Sequence, residues 1–289
     1  MKTILRRKNG FLLLLLPALF LMALSDALAK YVADVPLFEK LFVRSGFSLL
    51  PILWLKQKTK ESFQPGSTSW LTLRVIAAFA SALCSYYAVS NMDLASFSML
   101  KYLSPLFTFL GGVLVFHENF TRNAVYGLLI SFVGTLLVFA PAMTLSGDIL
   151  PYIGALGAAL ACGVIGIAER GMGETSRKPS NPTTVSICCT VFSLVAATPF
   201  LPGNVVPLSV EELFALAVQA LLMSIGQVML TVVYQHEDVT RLGVYDYTAP
   251  LWSILLGLLL FAEVPSMMTF LGIGLIISGG ILNLHSPEK

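Results

Sequence analysis

A chain of 289 residues with 56% hydrophobic and only 12% charged positions, and a mean hydropathy of +0.81, has too little polar surface to enclose a water-soluble core of its size. Its formal net charge is +2, and no nucleic-acid partner is expected; the lipid bilayer is the expected main solvent.

The first ten residues form a basic segment, with Lys2, Arg6, Arg7 and Lys8. The Leu-rich stretch from Phe11 and the triplet Ala27-Leu28-Ala29 imitate a cleavable signal, and Arg6-Arg7 resembles part of a twin-arginine signal. Cleavage would leave the two halves of the chain unequal, so this stretch reads as the first membrane span. A helix rising 1.5 Å per residue needs roughly 20 apolar residues to cross the hydrocarbon core. Such runs lie at 11–32, 37–55, 70–90, 95–116, 122–141, 150–169, 183–201, 211–234, 240–262 and 266–285. The expected fold is therefore all-α and integral to the membrane, with ten transmembrane helices. Between them Pro65-Gly66-Ser67, Ser146-Gly147-Asp148, Pro179-Ser180-Asn181-Pro182 and Pro202-Gly203-Asn204 supply turn chemistry.

Orientation follows from the 18 Lys and Arg. With a cytoplasmic N-terminus, the basic N-terminal residues, Lys56, Lys58, Lys60, Arg74, Arg122, Arg170, Arg177, Lys178, Arg241 and Lys289 fall inside. Lys30, Lys40 and Arg44 fall toward the outside, so the positive-inside rule predicts both termini in the cytoplasm. Short loops suit a bacterial inner membrane.

Residues 91–134 recur as 236–279: Tyr102, Pro105, Leu106, Gly112, Phe116, Glu118, Gly127 and Gly134 return as Tyr247, Pro250, Leu251, Gly257, Phe261, Glu263, Gly272 and Gly279, always at one offset (250 − 105 = 145). The expected organisation is two five-helix repeats, 11–141 and 150–285. An odd number of spans per repeat inverts the second against the first, and transporters place their solute at the interface of such halves. Pro105 and Pro250 each lack an N–H and should kink their helices, giving hinges. Gly111, Gly112, Gly127, Ser131 and Gly134, with Gly272, Gly274, Ser278, Gly279 and Gly280, should bring helix backbones close together. Glu118 and Glu263, at opposite faces, read as caps on the N-termini of the helices that follow them.

The doubled series Pro-Leu, Gly-Gly, Phe-x-Glu and Gly-x6-Gly, in a ten-span chain of this length, resembles the EamA family of the drug/metabolite transporter superfamily. The resemblance implies a secondary carrier or exchanger with a central cavity and alternating access, in a family whose solutes include amino acids, nucleobases and vitamins. Asp26-x-x-x-Lys30-Tyr31, Phe38-Glu39 and Arg44 look like the matching stretch of S-adenosylmethionine uptake carriers of that family. Amino-acid exporters of the family also carry a basic residue near Arg44.

Ionisable residues inside a span cost about 2.5 to 3.5 kcal/mol each on the insertion scale, so they mark a cavity or a partner. Asp26 and Lys30 stand one turn apart and either pair with each other or face the solute. Arg44 either lines the cavity or snorkels outward. Lys101 precedes the repeated Tyr-x-x-Pro and is expected to line the cavity; its counterpart, Asp246, is the candidate protonatable coupling group (246 − 101 = 145). Tyr86, Tyr102, Gln227 and Tyr247 would add stacking and hydrogen bonds for a flat or zwitterionic solute, although Tyr also enriches membrane interfaces. The implied partner is a small-molecule solute such as an amino acid, a nucleoside-like compound or S-adenosylmethionine, moved with a proton or against an exchanged counter-substrate.

No phosphate-binding G-x-x-x-x-G-K-[ST] loop exists to couple nucleotide hydrolysis. Cys84, Cys162, Cys188 and Cys189 lack C-x-x-C spacing, and His117, His236 and His285 have no ligand partners in sequence, so no metal and no cofactor are expected. A polytopic enzyme would need a convergent nucleophile or His/Asp/Glu set, which is missing. A flippase for lipid-linked substrates is the nearer alternative to a carrier.

Overall fold

The computed structural model describes residues 10–28, 32, 35–60, 62–92, 94–140, 148–173, 179–202, 205–261 and 266–284, and these are helical with no strand among them. In chain order the helices are α1 (Leu12–Leu28), α2 (Leu37–Thr59), α3 (Thr68–Asn91), α4 (Leu94–Lys101), α5 (Ser104–Phe116), α6 (Arg122–Phe139), α7 (Leu150–Gly171), α8 (Pro182–Ala197), α9 (Val210–His236), α10 (Val239–Asp246), α11 (Ala249–Phe261) and α12 (Met267–Leu284). Among the described residues, six segments are long and apolar enough to cross a membrane: Thr68–Ser85, Phe97–Phe116, Leu150–Gly171, Pro182–Phe200, Val210–His236 and Val239–Leu260. Leu12–Leu28, Arg122–Val138 and Met267–Leu282 are shorter apolar helices. Helix α2 has 23 residues, but Glu39, Lys40, Arg44, Lys56 and Lys58 lower its hydropathy.

Large apolar side chains point outward and small ones inward, the pattern of helices solvated by lipid. On α7 the buried residues include Ala155, Ala158, Ala159, Gly163, Gly166 and Ala168, whereas Ile153, Leu156 and Leu160 are exposed. Lipid tails replace water on that outer face, so the usual drive to bury leucine is missing and close backbone approach decides which residues go inside.

Two compact units form, and each draws on both halves of the chain: Met1–Val75 with Met172–His236, and Ile76–Gly171 with Glu237–Lys289. In the first unit α1 packs along α9, and α2 lies against α8 and α9. Ser25 Oγ donates to the Gln219 carbonyl, and Gln219 Nε2 donates back to the Ser25 carbonyl at 3.1 Å, so the Ser25 hydroxyl and the Gln219 amide nitrogen both hold α1 to α9. At one end of this unit the Glu39 carboxylate accepts the Val206 N–H at 3.0 Å and Phe38 stacks on Phe200. At the other end Ser180 Oγ donates to the Pro65 carbonyl and Asn181 Nδ2 to the Ser62 carbonyl, each at 2.7 Å.

The second unit is organised around a seam between α6 and α12. A Cβ added at Gly127 would stand 2.7 Å from the Gly279 carbonyl oxygen, and one at Gly134 would stand 2.7 Å from that of Gly272. Only glycine permits so close an approach. The partners run in opposite order, so the two helices are antiparallel. Gly127 and Gly272 are one pair at the 145 offset, Gly134 and Gly279 another, so each contact repeats the other with the halves interchanged. Between them Ser131 Oγ donates to the carbonyl of Ile276, its own counterpart (276 − 131 = 145).

The spans expected as continuous kinked helices at 95–116 and 240–262 are instead pairs of helices. Helix α4 stops at Lys101 and α5 starts at Ser104; α10 stops at Asp246 and α11 starts at Ala249. The N–H groups of Leu103 and Thr248 turn back to the carbonyls of Leu100 and Tyr245, and those of Leu106 and Leu251 to Leu103 and Thr248. These tight i to i+3 bonds carry the backbone through each break. Pro105 and Pro250 do not kink a helix from within. Each falls in the first turn of the second piece, where a missing N–H costs nothing.

Candidate functional site

Each break gathers sequence-predicted residues. Lys101 ends α4, half-buried, with Nζ 5.8 Å from the centroid of the Phe97 ring and its charge at a favourable helix C-terminus. Tyr102 follows and packs against a cluster formed by Phe109, Leu128, Val138, Val244, Tyr247 and Ile276. In the second break Asp246 is half-buried and Tyr247 fully buried. The Tyr247 ring tilts against Phe132 at 6.2 Å, and its hydroxyl has no hydrogen-bond partner among the described residues. The two repeated tyrosines therefore share one core cluster, and Lys101 and Asp246 stand beside it in the chain.

The remaining candidates are in the first unit or cannot be placed. Asp26 is exposed in the last turn of α1, and Arg44 and Gln227 are half-buried on α2 and α9. Lys30 and Glu263 lie outside the described residues, and of Tyr86 only its place in α3 is described. Two open grooves on the first unit, one lined by Phe47, Leu50, Pro51, Trp54, Ala217 and Leu221 and the other by Leu53, Lys56, Gln57 and Lys60, contain none of the predicted residues. Among the described residues no group of His, Cys, Asp and Glu is placed to hold a metal ion.

Glu118 occupies a position that the sequence reading misassigned. Helix α5 ends with His117 in the left-handed region (φ 52), and the Glu118 N–H returns to the Gly112 carbonyl at 3.1 Å. This reversal directs the Glu118 side chain away from α6, whose N-terminus is capped by Thr121 through the Ala124 N–H at 3.1 Å. The carboxylate reaches α10 instead. Its Oε2 accepts the Thr240 N–H at 3.0 Å, and its Oε1 accepts the Val239 N–H at 3.3 Å and Arg170 Nε at 3.0 Å. The same guanidinium also donates through an NH2 nitrogen to Asp238. Side-chain exposure falls from 53% at Asp238 to 13% at Arg170 and 5% at Glu118, so the charge pair closest to the helix terminus is the least screened. A carboxylate in this position satisfies orphan N–H groups and complements the helix dipole at once.

In the sequence Arg170 stands out only as one of the inner charges, and no motif marks Asp238. One signal was available: Asp93 and Asp238 also recur at the 145 offset (238 − 93 = 145). Glu39, taken with the S-adenosylmethionine-carrier resemblance, is occupied in holding the Val206 N–H. Glu169, 2% exposed in the last turn of α7, and the buried Arg74 of α3 are further charges inside their units that spacing alone did not single out.

The profile of the EamA-like transporter family matches residues 8–140 and again residues 149–284. The chain belongs to the EamA-like transporter family. It is a multi-pass membrane protein and a transporter. It is 28% identical over 283 residues to the pseudopaline exporter CntI of Pseudomonas aeruginosa strain UCBPP-PA14, covering 98% of each chain. It is 24% identical to an uncharacterized transporter of Helicobacter pylori strain 26695, covering 89% of this chain and 88% of that protein. One solved crystal structure superposes with a TM-score of 0.83 over 96% of each chain at 20% identity, a likeness of fold alone. The EamA match falls into two segments, each carrying one Glu, one helix break and one glycine helix of the 145-residue register.

Proposed function

We propose that the protein is a secondary transporter that moves a small polar or zwitterionic metabolite by alternating access. In this reading ten spans form two inverted five-helix repeats, with both termini in the cytoplasm, in a bacterial inner membrane. The observation that carries it is the pair of broken helices: α4 and α5 match α10 and α11 in both start and end at the 145 offset, and Lys101 and Asp246 occupy the two breaks. Broken helices free backbone groups inside the bilayer, and such backbone is tolerated where it lines a water-filled cavity or is buried in protein. A cation at one break and a carboxylate at the other suit the two ends of a zwitterion. The antiparallel α6–α12 seam supports the inversion. The ends of the helices supports it too: Glu39 with Val206, and Ser180 with Pro65, join loops that the orientation places on the same side.

Amino-acid-like compounds, nucleosides and S-adenosylmethionine are the solute classes to test, with the pseudopaline exporter relative adding pseudopaline to the panel. Counterflow of labelled solutes into vesicles containing the purified protein should show saturable uptake of at least one. Lys101→Ala and Arg44→Ala should abolish that flux while the protein stays folded. Asp246→Asn should remove its pH dependence, and a pH-dependent wild-type rate in that variant would end the coupling role. Headgroup-dependent lipid scrambling without uptake of any soluble solute would select the flippase instead.

A further inference from the structure

Helices α5 and α10 draw one end of the second unit together. Helix α10 lies against α5, where a Cβ on Gly243 would stand 3.3 Å from the Pro105 carbonyl oxygen. At the 145 offset, Gly243 corresponds to Ser98 on α4, and Pro105 to Pro250 on α11 (243 − 98 = 145). Ser98 is half-buried.

The end that is drawn together is the one carrying Glu118. Its carboxylate is bonded to the first two N–H groups of α10 and to Arg170 at the end of α7, so a single side chain ties three helices. The Arg170 guanidinium then reaches Asp238, the residue before α10. The carboxylate and the acid before α10 recur in the sequence, as Glu263 and Asp93, but the guanidinium does not: the counterpart of Arg170 is Ser25 (170 − 25 = 145).

We propose that Glu118, Arg170 and Asp238 form a clasp that holds this end shut, and that Glu118 must let go of the α10 N-terminus whenever the end opens toward the cytoplasm. Glu118 is a positioning residue: it acts on the solute path through α10. The inference rests on the alternating-access reading. With its clasp intact, the protein rests facing outward, and weakening the clasp shifts the population toward the inward-facing state.

The test uses the full-length protein in sealed vesicles, with Cys84, Cys162, Cys188 and Cys189 replaced by serine or alanine and one reporter cysteine added. Thr240→Cys reports on the clasp, and Ser98→Cys reports on the opposite end; each is read by its rate of alkylation with a membrane-impermeant maleimide applied from one side. Glu118→Gln should raise the Thr240→Cys rate from the cytoplasmic side about tenfold or more and lower the Ser98→Cys rate from the other side by a similar factor. Arg170→Lys, which keeps the charge but loses the planar fork, should fall between parent and Glu118→Gln, and it serves in place of Glu118→Gln if that variant does not fold. Unchanged rates at both reporters in a folded variant overturn the clasp and leave alternating access standing. A rise at Thr240→Cys with no fall at Ser98→Cys confirms the clasp but breaks the link between the two ends, and it is alternating access that then fails.

Discussion

Adding one methyl group at Gly134 separates close packing from mere glycine content. The new Cβ would stand 2.7 Å from the Gly272 carbonyl oxygen, 2.9 Å from Leu275 Cβ and 3.0 Å from Ile276 Cγ1, so α6 and α12 must move apart. Overpacking of this kind costs about 1 to 3 kcal/mol, against a gain of up to about 1 kcal/mol from placing alanine rather than glycine in a helix. Gly134→Ala should lose up to about 2 kcal/mol of stability after the full propensity gain is subtracted. Gly274 and Gly280 lie on the same helix, α12, with nothing among the described residues within 4 Å of an added Cβ. There alanine meets no obstacle, and Gly274→Ala and Gly280→Ala should be neutral or gain up to about 1 kcal/mol. Gly134→Ala combined with Gly272→Ala should cost less than the two alone, because one separation of the helices relieves both clashes. Thermal unfolding in detergent, followed by the reaction of a fluorescent maleimide with the native cysteines, measures all of these. Equal stability for Gly134→Ala and Gly274→Ala would show that the α6–α12 seam is not held at backbone contact.

Substitutions at two other positions test single features. The Tyr247 hydroxyl is buried without a partner among the described residues, and leaving such a group unsatisfied costs about 1 to 3 kcal/mol, so Tyr247→Phe should unfold at the same temperature or higher; a clear loss of stability would mean that the hydroxyl is bonded. Ser209 and Glu212 form a reciprocal cap on α9: the Ser209 N–H and Oγ both donate to Glu212 Oε2 at 2.7 Å, and the Glu212 N–H donates to Ser209 Oγ at 3.2 Å. Ser209→Ala should cost about 1 kcal/mol in the same unfolding assay, and Ser209→Asn should recover most of it.

The positions of the helices were legible because they depend on local chemistry that recurs. The 145 offset found in the sequence also relates the starts of α2 and α8, both ends of α6 and α12, and both breaks. Prolines gave the correct place for the breaks and the wrong reason, because whether Pro105 bends a helix or begins one depends on the backbone just before it. Spacing could not reveal Glu118 bonded to α10, since the left-handed turn at His117 that redirects it is a tertiary outcome with no sequence periodicity. Nor could it reveal that each compact unit takes helices from both sequence halves, because helix order along the chain does not determine which helices pack.

A contact between a residue and its own counterpart, such as Ser131 with Ile276, arises only where the axis relating two equivalent helices passes between them. An exchange of the two halves maps the α6–α12 seam onto itself, with Gly127 on Gly279 becoming Gly272 on Gly134. It maps the α5–α10 contact onto the opposite pair, α4 and α11. On the alternating-access reading the seam therefore has the same contacts in both end states and stores no difference between them. The free-energy difference must come from elements whose packing changes under the exchange, foremost α4, α5, α10 and α11. A charge that binds one member of that set, as Glu118 binds α10, biases the equilibrium directly, whereas a stabilising change confined to the seam leaves it where it was.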